Sequence, residues 1–101
     1  MKLVIVTAVE DFQKDVLKLF RQANIESFSS SDIDGYKNVP AVLATSSWFP
    51  GESSGNESIL FFSFTEEANI DLLFKLIQEF NRHMETNNPI RAIVIPIEKS
   101  I

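Results

Sequence analysis

The sequence predicts an α+β sandwich, with two helices laid on one face of a four-stranded antiparallel sheet, and three observations lead there. Segments with apolar residues at period two and segments with apolar residues at helical period follow one another as strand, helix, strand, strand, helix, strand. Three of the strands carry Val, Ile, Leu or Phe on both faces, so both faces need cover. All three glycines, Gly35, Gly51 and Gly55, fall between residues 35 and 56 with Pro40 and Pro50, which places one long irregular connection between the second and third strands.

The first strand is Lys2 to Val9, an apolar run too short to span a membrane as a helix. Glu10 and Asp11 arrive where a signal peptide would still be apolar, so the expectation is a cytoplasmic protein. The first helix follows from Asp11 to Ala23, because Phe12, Val16, Leu19, Phe20 and Ala23 make a single stripe. Asn24 suits a left-handed terminator. Ile25 to Asp34 reads as a polar strand at a sheet edge or against another chain. In the third strand, Glu57 to Phe64, the residues Leu60, Phe62 and Phe64 face one way and Ile59, Phe61 and Ser63 the other.

The second helix is expected to start at a Thr65 cap, with Glu66 and Glu67 in its first turn, and to run to Met84. Ile70, Leu73, Phe74, Ile77, Phe80 and Met84 supply its stripe. After a turn at Thr86-Asn87-Asn88-Pro89, the last strand extends from Pro89 to Ile101. There Ile93, Ile95 and Ile97 alternate with Ala92, Val94 and Pro96. This order is the split βαβ arrangement of ferredoxin-like βαββαβ domains, one domain over residues 1–101. Right-handed crossovers give the strand order 4-1-3-2, and Pro96 agrees with an edge position for strand four.

Two helices cover one face of such a sheet and leave the other bare. About six large apolar side chains would then face water, and covering them contributes on the order of 10 kcal/mol gross, as much as the whole stability of a small domain. A closed cyclic oligomer is the simplest cover.

Composition narrows the function classes. The net charge is −5 and the nine Lys and Arg are scattered, which argues against a nucleic-acid footprint. Without cysteine there are no disulfides and no thiolate chemistry. His83 is the single histidine and suits the negative end of the second helix, so no metal site is expected. Asp32-Ile33-Asp34-Gly35 begins like a calcium loop, but Lys37 stands where its glycine belongs. No nucleophile–base set or catalytic carboxylate pair stands out, and a non-enzyme is expected.

The stretch Asn24-Ile25-Glu26-Ser27-Phe28-Ser29-Ser30-Ser31-Asp32-Ile33-Asp34-Gly35-Tyr36 and the stretch from Arg91 to Ile101 resemble the second and fourth strands of the P-II signalling superfamily. Those proteins are ferredoxin-like trimers that pack sheet to sheet. The resemblance implies a homotrimeric regulator whose T-loop-like segment spans residues 35–56 and contacts a protein target, such as a membrane transporter. It also implies a small-molecule effector bound between subunits, with Gly35 at the loop base and Arg91 at the basic position before strand four, while Tyr36 and Lys37 either line that pocket or merely finish a hairpin. The turn from His83 to Ile90 departs from the family in having no glycine to bring backbone amides close to phosphates, so the resemblance does not specify the effector. Trp48 and Phe49, beside Pro50, are either a partner-contacting tip or a cluster packed back on the protein. Two other classes share this architecture: a cation-tolerance-like metal-binding trimer, which would bring more ligating side chains, and a small dimeric α+β barrel enzyme, told apart by oligomeric state.

Overall fold

A computed structural model describes residues 1–36 and 56–101 of the chain. In order they form β1 (Lys2–Val9), a 3₁₀ turn (Glu10–Phe12), α1 (Gln13–Gln22), β2 (Ser29–Gly35), β3 (Asn56–Thr65), α2 (Glu67–Met84) and β4 (Arg91–Pro96). The four strands make one antiparallel sheet in the order β2-β3-β1-β4, which is the predicted 4-1-3-2 read from the other edge. Both helices contribute to one core on one face of it.

β1 is paired over its full length to β3, and from Lys2 to Thr7 to β4 as well. Its alternate residues Val4, Val6 and Ala8 have no exposure and meet Phe61 and Ile59 of β3 under the helices. Val16, Leu19, Phe20 and Ala23 close this core from one side, and Ile70, Leu73 and Ile77 from the other. Aromatic contacts tie the layers: Phe20 lies 4.7 Å from Phe28 and 5.8 Å from Phe61, and Phe12 meets Phe80 edge-on at 5.3 Å.

The ends of α1 follow from local chemistry. The chain enters it through the 3₁₀ turn, with Glu10, Asp11 and Asp15 as acids for the positive end of the helix. It leaves through Asn24 at φ 61°, the left-handed residue expected there, while the Ile25 amide donates back to the Phe20 carbonyl. The Asn69 side chain donates to the Asn24 carbonyl at 3.1 Å and joins the two helices at this exit.

Several element bounds differ from the sequence reading. Ile25 to Phe28 is not strand: Ile25 is buried and Phe28 packs on the core, a spacing of three that no period-two strand can satisfy. The Ser63 hydroxyl donates to the Ser27 carbonyl at 2.6 Å, and the ladder starts only at Ser29, opposite Phe62. Thr65 does not cap α2, because it stays in β3 opposite Lys2. The N-cap is Glu66, which makes no side-chain capping bond; its carbonyl accepts from the Asn69 and Ile70 amides. Glu66 lies 3.6 Å from the N-terminal amine and Glu67 lies 3.1 Å from Lys2 Nζ. Met84 is 48% exposed despite its place in the apolar stripe, since the buried part of the helix ends at Ile77. β4 stops at Pro96 because its partner Lys2 is the first residue of β1, leaving Ile97 with nothing to pair against. β2 and β4 are both edge strands, as the polarity of the one and the proline of the other required.

Phe61→Ala should cost about 3–5 kcal/mol in urea unfolding, because the ring is fully buried where the two helices and the sheet meet. A cost below about 1 kcal/mol would mean that the core does not depend on this contact.

Candidate functional site

The helix-free face of the sheet is apolar. Leu3, Ile5 and Thr7 of β1 point to it, opposite Phe64, Phe62 and Leu60 of β3 and Ile95, Ile93 and Arg91 of β4. Phe64 is 54% exposed and Ile93 and Ile95 are exposed beside it, while Leu3, Ile5, Leu60 and Phe62 are half-buried by their neighbours. The Phe62 and Phe64 rings stand 6.2 Å apart, edge to face, across this surface. A contiguous apolar patch of this kind marks an interaction surface.

Thr7 interrupts the patch. Its side chain is fully buried, and its hydroxyl has no hydrogen-bond partner. Arg91, directly across the ladder, is half-buried. The residue before it is held by a carboxamide clamp: Asn81 Nδ2 donates to the Ile90 carbonyl, and the Ile90 amide donates to Asn81 Oδ1, both at 2.9 Å. A cavity of about 370 Å³ lined by Phe74, Ile77, Gln78, Asn81, Ile90, Arg91 and Ala92 opens at this end of α2. The turn from α2 is made without glycine, by Glu85 at φ 46° and by the Asn88 amide donating to Thr86 Oγ1.

Of the residues singled out in the sequence, the described ones Gly35, Tyr36 and Arg91 are not brought together within one chain. Gly35 is buried at the end of β2, opposite Asn56, and Tyr36 follows it 64% exposed. Arg91 starts β4 on the opposite edge of the sheet, three inter-strand spacings or about 14 Å across it and further displaced along the strands. Lys37, Trp48 and Phe49, and with them most of the 35–56 segment, lie outside the described residues. His83 is exposed in the last turn of α2.

Sequence reading missed an acidic pocket. Glu10, Asp32, Asp34 and Glu57 line a cavity of about 350 Å³ with Ile33 and Ser58. Only the strand register assembles it, by setting Asp34 opposite Glu57 and placing both next to the turn after β1. Hydrogen bonding with the Glu57 carboxyl group, then repulsion from its charge, then burial, with weaker repulsion from Asp32 and Asp11, raise the Glu10 carboxyl above its ordinary value of 4.5. Among the described residues no group of three or more acids or histidines is arranged to hold a metal ion.

The raised Glu10 carboxyl has a definite sign in stability. The folded protein holds this proton more tightly than the unfolded chain, so the contribution is present below the ordinary carboxylate range and is lost as pH rises through the folded value. Glu10→Gln should therefore melt higher than the parent at neutral pH, and the gap should close as pH falls below about 4.5. An equal gap at both ends of a differential scanning calorimetry pH series would contradict the assignment.

No family model matches this chain, and no curated protein does. Solved structures do match. A DUF3240 family protein from Shewanella baltica superposes with a TM-score of 0.67 at 19% identity, over 98% of this chain and 91% of that one. CPII, a nitrogen regulatory PII-like protein from Thiomonas intermedia solved with ADP, AMP and bicarbonate bound, superposes with a TM-score of 0.63 at 11% identity, over 99% of this chain and 94% of that one. The chain has the PII-like form of the ferredoxin-like fold, and at these identities the likeness speaks for the fold alone. Among the described residues no helix is long and apolar enough to cross a membrane.

Proposed function

We propose that this protein is a PII-like regulator rather than an enzyme: a homotrimer that binds a small effector between subunits and presents its 35–56 segment to a protein target. The observation that carries this reading is the apolar helix-free face, where Phe64, Ile93 and Ile95 are exposed beside half-buried Phe62. A protein of this size does not leave that area wet without a use for it. The reading also accounts for the separation of Gly35 and Tyr36 from Arg91. Residues on opposite edges of one sheet form a pocket when a neighbouring subunit sets one edge beside the other.

The effector is a small molecule with an anionic group, since Arg91 is the basic position that the family resemblance assigns to it and pairs with no carboxylate among the described residues. The likeness to CPII favours an adenine nucleotide or bicarbonate. Lys37 is proposed as a second basic contact, and Trp48 with Phe49 as the part of the segment that touches the target. A membrane transporter is the target class favoured, on the family resemblance.

Size-exclusion chromatography with light scattering should give the mass of three chains at micromolar concentration, and Phe62→Glu should shift it to a single chain, because the charge would be buried without a partner. A monomeric parent would sink the reading, and a stable dimer would favour the barrel enzyme. In a thermal-shift screen with adenine nucleotides, bicarbonate and divalent metals, the true effector at a hundred times its Kd should stabilise the protein by about 2.7 kcal/mol. Arg91→Gln should remove most of that gain. Stabilisation by metals alone would point instead to the metal-binding trimer.

A further inference from the structure

We propose that the Thr7 hydroxyl and the Arg91 guanidinium together bind a small oxyanion, a carboxylate, bicarbonate or phosphate group, on the helix-free face of the sheet. The proposal rests on the reading of Arg91 as an effector contact and adds to it a second donor, a position and a ligand chemistry.

Thr7 is out of place by packing alone. Its same-face neighbours are Ile5 along the strand and Leu60 across it, and valine would fill the space as well without bringing a hydroxyl into it. That hydroxyl is wholly shut off from solvent and makes no hydrogen bond, a costly condition for a buried donor. Its other cross-strand neighbour is Arg91. Among the described residues no carboxylate forms an ion pair with that guanidinium. An O–H and a planar N–H fork that branch from cross-strand partners on one sheet face are complementary to two oxygens of a single anion. Bound there, the anion satisfies the orphaned hydroxyl and neutralises the arginine at once.

The backbone beneath this pair is firmly placed. Asn81 holds both polar groups of Ile90, and the β1–β4 ladder takes over at Arg91, so the arginine side chain springs from a fixed point. Access runs along Arg91 itself, whose long half-exposed side chain can swing aside and keep its charge on the incoming anion. The acidic pocket does not compete. Asp32, Asp34 and Glu57 lie in register with Ile59 on the helix side of the sheet, toward its β2 edge.

The test is calorimetric titration of the full chain with sodium phosphate and, separately, with sodium bicarbonate, at constant pH and ionic strength. The parent should bind at least one of them saturably, and the stronger of the two names the source of the oxyanion group. Thr7→Val should weaken that binding about tenfold or more, as expected for losing a hydrogen bond to a charged group, while the ligand-free melting temperature stays equal or rises. Thr7→Ser should keep affinity within about threefold, and Arg91→Gln should lose it. No saturable binding of either anion by the parent overturns the proposal, and so does parent-like binding by Thr7→Val. If Thr7→Val changes the oligomeric mass but not anion binding, the hydroxyl's acceptor sits on a second copy and the oxyanion site is wrong. Both donors belong to one chain, so anion binding that depends on Thr7 in a protein that proves monomeric would uphold this site and remove the trimer.

Discussion

β1 is the strand on which everything else is registered. It pairs with β3 from Lys2 to Val9 and with β4 from Lys2 to Thr7, and its two faces serve two different surfaces. Val4, Val6 and Ala8 anchor the only extensive core in the described residues, while Leu3, Ile5 and Thr7 form the spine of the open face. Because the side-chain period of a strand is two, a one-residue slip would exchange these sets and put Thr7 into the core. Val4, Val6 and Ala8 have no exposure beneath the helices, so the larger Leu3 and Ile5 would overpack that space, which makes the slip costly. Core packing therefore fixes what the open face displays.

The ends of the elements are set by side chains acting as substitute backbone. Ser63 takes the Ser27 carbonyl and delays β2, Asn69 takes the Asn24 carbonyl at the exit of α1, and Asn81 pairs both polar groups of Ile90 ahead of β4. Each satisfies a backbone group that no ladder or helix reaches. The Asn81 clamp also explains how the turn after α2 is held without glycine. A carboxamide can reproduce the two hydrogen bonds of a strand neighbour, which leaves Glu85 as the one residue of that turn with positive φ.

The same end of the sheet gathers the chemistry. The acidic group of Glu10, Asp32, Asp34 and Glu57 lies toward the β2 edge on the helix side, and Arg91 with Thr7 lies toward the β4 edge on the open side. Arg91 is thus separated from Asp32 and Asp34 by two strands and the thickness of the sheet, and no salt bridge joins it to these acids.

Sequence alone carried the element order, the two helical stripes, both edge strands and the apolar character of both sheet faces, because these follow from periodicity and from residues with distinctive backbone preferences, Asn24 tolerating the left-handed region and Pro96 lacking an amide donor. It misplaced the start of β2, the cap of α2 and the end of β4. Those depend on which partner a carbonyl or amide finds in space: the Ser63 hydroxyl for Ser27, the Glu66 carbonyl for the first α2 amides, and the end of the β1 ladder at Lys2 for Ile97. The acidic pocket and the orphaned Thr7 hydroxyl were illegible for the same reason. Asp34 and Glu57 are 23 positions apart and Thr7 and Arg91 are 84 apart, so only the antiparallel register makes each pair neighbours. Local sequence sets what each segment is, and tertiary pairing decides which charges and donors meet.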